Sequence, residues 1–108
     1  MLPKKNRVNT KTVEEIFKTG RILNSPSLSF RFLLNNNLTL PKISFIAPKN
    51  VTKLAVKRNL LRRQGYIALE KYINKFPTEI AGVFIFKKVQ DNVSILSNEI
   101  KNILGQIH

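Results

Sequence analysis

The chain has 108 residues, 43% of them hydrophobic, which suits one small core and is too apolar for a wholly disordered polymer. It has no cysteine and one histidine, His108, which excludes a disulfide framework and a thiolate or histidine-cluster metal site, and no Ser-His-Asp arrangement is expected. The formal net charge is +13, and it sits almost wholly in residues 1–63, where 14 Lys and Arg meet only Glu14 and Glu15. A folded domain this cationic repels itself, so a polyanion is the expected partner.

In chain order, residues 2–11 (LPKKNRVNTK) form a basic, proline-containing arm without the apolar stretch of a signal peptide, and no later run is long enough to span a bilayer. A soluble cytoplasmic protein is expected. Thr12 with Glu15 has capping-box spacing, with Thr10 as the alternative helix start. Val13, Ile16 and Phe17 continue the helix, and Gly20 ends it. A short strand around 21–23 is broken by Pro26 from SLSFRFLL at 27–34, where Leu28, Phe30, Phe32 and Leu34 alternate with Ser29, Arg31 and Leu33. After an NNN turn at 35–37, KISFIA at 42–47 alternates in the same way. The two runs read as an antiparallel pair with one buried face and one more open face.

Residues 48–53 lead into a long helix running to about residue 74, in which Gly65 is a weak point. At about 100° per residue, Val56, Leu60, Leu61, Gln64, Ile67 and Ala68 share an apolar sector of roughly 140°. Lys57 alone lands among them, where its stem can snorkel out to water. Arg58, Asn59, Arg62, Arg63 and Tyr66 fall opposite. Beyond Pro77, EIAGVFIFKKV is nearly continuously apolar and reads as a central strand. Asp91 or Asn92 can cap a last helix, whose apolar face is Val93, Leu96, Ile100, Ile103, Leu104 and Ile107. The expected architecture is one α/β domain over 1–108, ordered α-β-β-β-α-β-α, with a sheet covered mainly by two helices.

The residues offer little for protein-borne catalysis. Six carboxylates are scattered, Glu14 and Glu15 point to different helix faces, and the four glycines are too isolated for a phosphate-cradling loop. The long helix is more informative, because residues 16–69 contain no acid at all. A merely solvated helix face would interleave glutamates among its arginines. Guanidiniums bond phosphate bidentately and stack on bases, and asparagine adds a donor and an acceptor for a base edge or sugar. A second surface follows from strand alternation: Ser29, Arg31, Lys42, Ser44 and Ile46 share the open sheet face, bordered by Val13 or Phe17. Such a groove suits a single strand of RNA. Phe17 reads equally well as core.

These strings resemble the protein subunit of bacterial ribonuclease P over almost the whole chain. LPKKNRV at 2–8 is similar to that family's Leu-Pro-x-x-Asn-Arg-Leu opening. APKNVTKLAVKRNLLRR at 47–63 is similar to its Lys-rich loop, Ala-Val-x-Arg-Asn-Arg signature and following basic pair. Four positions depart from the pattern: Leu60 and Tyr66 stand for arginines, and Val13 and Arg31 for aromatics.

The resemblance implies an α+β sandwich of the ribosomal protein S5 domain 2-like type, with a central mixed sheet and a left-handed βαβ crossover. It implies a ribonucleoprotein endonuclease whose catalytic RNA subunit removes the 5′ leader of precursor tRNA, with Mg²⁺ held mainly by the RNA. Lys53, Lys57, Arg58, Asn59, Arg62, Arg63 and Tyr66 would then contact RNA. Arg7, Val13, Phe17, Ser29, Arg31, Lys42 and Ser44 would line the leader groove. No protein side chain would be catalytic, and neither membrane nor DNA would be a partner. A ribosomal or general RNA-binding protein shares the charge and size. A helix-turn-helix DNA regulator does not fit the predicted strands.

Overall fold

In the computed structural model, which describes residues 8–35 and 37–107, the elements follow the expected order. They are α1 (Thr10–Thr19), β1 (Arg21–Asn24), β2 (Leu28–Leu34), β3 (Lys42–Ile46), α2 (Ala55–Glu70), β4 (Ile80–Phe86) and α3 (Val93–Gly105). A 3-10 turn at Ile73–Lys75 follows α2, which ends earlier than its sequence pattern suggests. Among the described residues, no helix is long and apolar enough to cross a membrane.

The sheet order is β1-β2-β4-β3. This corrects the expected β2–β3 antiparallel pair: β4 lies between them, antiparallel to β2 and parallel to β3. The reason is burial. Six of the seven β4 residues are buried, on both faces, so this strand must take the middle and be covered from both sides. Parallel pairing of β3 with β4 then needs a long crossover, which α2 supplies.

One sheet face holds the main core. Register puts Phe30, Phe84 and Phe45 side by side on β2, β4 and β3, with ring centroids 4.3 and 5.0 Å apart. Onto this aromatic row pack Leu61, Ala68 and Leu69 of α2 and Leu96, Ile100 and Ile103 of α3. The other face is smaller: Ile16 of α1 seals Ala81 and Val83 of β4.

Local chemistry fixes the helix ends. α1 begins before the expected Thr12 capping box, because the Asn9 side chain accepts the Thr12 N–H at 2.9 Å. Gly20 ends it in extended backbone, where a Cβ would lie 2.4 Å from the Ile16 carbonyl oxygen. Of the two candidate caps for α3, Asn92 is used, accepting from Ile95 N–H at 3.1 Å. Glu99 of α3 is buried and accepts the Ser27 N–H at 2.7 Å and the Ser25 hydroxyl, pinning the β1–β2 turn.

The buried side of α2 is rotated from the sequence expectation by about one 100° step. Leu61, Gly65, Tyr66, Ala68 and Leu69 face inward, whereas Val56 is 83% exposed and Ile67 39%. The seam is set by Gly65, where a Cβ would lie 2.6 Å from the Phe45 ring. Two effects oppose one another there. Alanine is favoured over glycine in a helix by about 1 kcal/mol, but overpacking a stacked buried ring costs about 1–3 kcal/mol. Gly65→Ala is therefore expected to lower the urea midpoint. Gly105→Ala, with no atom within 4 Å of its Cβ, is expected to raise it. Equilibrium unfolding of the two variants checks both signs.

Candidate RNA interface

The first basic surface is the loop at 48–54 and the outer side of α2. Arg58 turns back on this loop: its guanidinium donates to the carbonyls of Thr52 at 3.1 Å and Lys53 at 2.9 Å. Its donors are thus partly spent on holding the backbone that carries Lys53 and Lys49, both exposed. Arg62, half-buried, donates to Asn59 Oδ1, which aligns a guanidinium with an amide on one ridge. Asn59 and Arg63 are exposed. Lys57 leaves the apolar sector as expected for a snorkelling side chain and reaches Asp91 at 3.3 Å.

Tyr66 corrects the sequence reading. It was expected beside Arg62 and Arg63 but is only 7% exposed. Its ring packs edge-on against Phe45 and its hydroxyl accepts the Phe45 N–H at 3.2 Å. A buried phenol needs such a partner, and the β3 backbone supplies it. Helical spacing alone placed Tyr66 with the arginines, and the rotation of α2 moved it to the seam.

The second surface lies across the sheet, on the α1 side. Register aligns Ile22, Arg31, Val83 and Ser44 in one row and Asn24, Ser29, Ile85 and Ile46 in the next. The expected groove residues therefore fall into two groups rather than one. Phe17 is 42% exposed, which settles its ambiguous reading, and its ring carries the Arg31 guanidinium 5.0 Å from the centroid. Ser29 lies two residues before Arg31 on the same face. Lys42 and Ser44 lie on β3, beyond the apolar β4 residues that Ile16 covers. Ser44 there accepts the Val8 N–H at 2.9 Å. Val13, half-buried, packs against the Ile16 cluster, and Arg7 lies outside the described residues.

Sequence reasoning missed Ile22 and Asn24, which extend the Arg31 side to the sheet edge. Ile22 is 48% exposed. Alternation against Leu23, which packs on the core, would have found both. Among the described residues, no three His, Cys, Asp or Glu side chains come together in a group that could hold a metal ion.

A cationic loop and helix ridge on one side, and a guanidinium stacked on an exposed aromatic on the other, are two surfaces suited to RNA. The family model for ribonuclease P matches residues 2–108. The chain belongs to the ribonuclease P family. Its role is accordingly that of an RNA-binding protein component in tRNA processing rather than a ribosomal one. It is 28% identical to the ribonuclease P protein component of Pseudanabaena sp. (strain PCC 6903), over 98% of this chain and 94% of that protein.

Two solved structures share the ribonuclease P protein fold. The RNase P protein from Thermotoga maritima superposes with a TM-score of 0.81 at 18% identity, covering 94% of this chain and 97% of that one. A Staphylococcus aureus RNase P protein mutant with defective mRNA degradation activity gives 0.81 at 14% identity, covering 95% and 88%.

The Arg58 clasp yields a direct test. Losing two charge-assisted hydrogen bonds, each worth roughly 1.5–3 kcal/mol, should speed amide exchange across residues 52–54 by at least about tenfold in Arg58→Ala. Arg58→Lys keeps the charge but lacks the planar fork, so it should exchange almost as fast. Exchange in the lysine variant that stays at the wild-type rate would show that charge alone orders the loop.

Proposed function

We propose that this chain is the protein half of a ribonucleoprotein endonuclease, in which a catalytic RNA cleaves the 5′ leader from precursor tRNA in the cytoplasm. The observation that carries this reading is the family match over residues 2–108. Two features of the chain support it. Its cations lie on opposite sides of the sheet, and its carboxylates are not gathered into a catalytic or metal-holding group among the described residues.

In this reading Arg62, Arg63, Asn59 and the 48–54 loop take phosphates and sugars of the catalytic RNA. Arg58 acts mainly through the loop it holds. Arg31 and Phe17 form the platform for the leader: the ring fixes the guanidinium plane, and a base or phosphate of the incoming strand meets its outer side. Ile22 and Ser29 extend this platform along the sheet.

Among the described residues no group of side chains suits Mg²⁺, and we assign the ion to the RNA, where it would supply an activated water when bound. The protein's contribution is electrostatic. Its cations neutralise phosphate repulsion that added ions must otherwise screen. Protein alone should leave precursor tRNA intact, and RNA with protein should cleave at lower Mg²⁺ than RNA alone. Cleavage assays across a Mg²⁺ series check this, and robust cleavage by the RNA-free protein would overturn the reading.

Leader recognition is separable from general RNA affinity. Arg31→Ala should weaken binding of precursor tRNA to the reconstituted complex by about 1–3 kcal/mol while mature tRNA binds as before. Phe17→Ala should reproduce much of that loss, because the guanidinium then lacks its support. Equal weakening of both tRNA forms would make Arg31 a generic phosphate contact.

A further inference from the structure

Of the chain's six acids, Glu99 is buried, while Glu14, Glu15, Glu70, Glu79 and Asp91 are exposed. Burying a carboxylate is costly unless hydrogen bonds replace its water. Here one oxygen of Glu99 takes two donors of the β1–β2 turn, the Ser27 N–H at 2.7 Å and the Ser25 hydroxyl. Lys87, one residue past β4, donates its backbone N–H to the Ser27 carbonyl and its ammonium to the Ser25 carbonyl, each at 2.8 Å. The turn is thus held by α3 and by the end of β4 as well as by its own strands.

What this turn holds is β1. That strand has four residues and stands at the sheet edge beside β2. Its Leu23 packs against the core, while Arg21, Ile22 and Asn24 are exposed. A strand with so little burial takes its place from its ladder and from its two ends. At the first end is Gly20, whose N–H donates to the Ile16 carbonyl at 2.8 Å. At the second is the turn. Along β1, Asn24 lies opposite Ser29 and Ile22 opposite Arg31. Phe17, whose ring carries the Arg31 guanidinium, lies three residues before Gly20. A shift of β1 would therefore move Ile22 beside Arg31 and, through Gly20, the ring that supports it.

We propose that Glu99 is a positioning residue for the leader platform. From the helix-covered side of the sheet it fixes the β1–β2 turn, and through β1 it sets Ile22, Asn24 and Phe17 around Arg31. This rests on the reading of Arg31 and Phe17 as the platform for the leader. Stability alone does not call for an acid here, because an apolar side chain at a buried helix position adds contact without desolvating a charge. Nor does attraction for RNA, which a carboxylate lowers.

The test uses complexes of the full chain reconstituted with a bacterial ribonuclease P RNA. Affinities for precursor and mature tRNA are measured for Glu99→Ala, Glu99→Gln, Ser25→Ala and Arg31→Ala, with amide exchange at Ser25 and Ser27. Glu99→Ala should lower the precursor-to-mature affinity ratio about fivefold, as the platform side chains lose their preset positions, and should speed exchange at both amides. Its affinity for the catalytic RNA should not fall, since removing an acid raises the net charge by one. Glu99→Gln keeps an oxygen for both donors and should retain most of the ratio. Ser25→Ala leaves the Glu99–Ser27 bond and should fall between.

Faster exchange beside a wild-type ratio in Glu99→Ala would make the carboxylate a structural staple and overturn the proposal. Equal weakening of precursor and mature tRNA, or a lowered ratio with wild-type exchange, would overturn it too. If Glu99→Ala does not fold, Ser25→Ala decides in its place by the same criteria. Arg31→Ala separates this proposal from the reading beneath it. A wild-type ratio there counts against the leader platform itself, whereas a lowered ratio there beside an unchanged one in Glu99→Ala removes Glu99 alone.

Discussion

The structure depends on a strand that is apolar on both faces. Because β4 is buried on each side, it needs a neighbour at each edge and a cover above and below. Phe84 draws the rings of β2 and β3 together on one face, and α2 with α3 closes over them. Ala81 and Val83 draw Ile16 down on the other. The second cover decides what RNA can reach: once α1 lies over β4, the margins of that face remain available. The Phe17–Arg31 pair stands on one margin and Lys42 with Ser44 on the other.

Charge is organised by the same demand. With both faces of the centre committed to apolar contact, cations are displaced to the outer side of α2, to its preceding loop and to the sheet margins. Lys57 meets Asp91 in an ion pair that is half-exposed and so worth little. Three guanidiniums are oriented by neutral groups: Arg58 by two carbonyls, Arg62 by an amide, Arg31 by a ring. Such partners fix direction without cancelling charge. A surface built this way keeps its full attraction for phosphate while losing part of the entropy that a free side chain would surrender on binding.

The order of elements, the central place of β4, the Asn92 cap and the arginine ridge of α2 were legible because each rests on local pattern. Three features were not. The rotation of α2 was hidden because the helix has two apolar sectors, and periodicity cannot say which meets the sheet. Gly65 over Phe45 decided it, and a glycine reads in sequence as a weakness rather than a contact. Tyr66 moved inward with that rotation. The split of the groove was hidden because alternation gives the face of each strand but not the order of strands. Thr12 and Glu15 matched a capping box, but Asn9 made the same kind of bond earlier in the chain.

The place of β4 in the chain has a consequence for synthesis. β2 and β3 are made together, separated by a short turn, while the strand that belongs between them lies on the far side of α2. During translation both must persist without their shared partner. Native pairing is therefore non-local and slow relative to hairpin closure. The nascent chain waits with two unsatisfied strand edges, and its dense positive charge, made almost entirely in the first 63 residues, keeps neighbouring chains apart meanwhile.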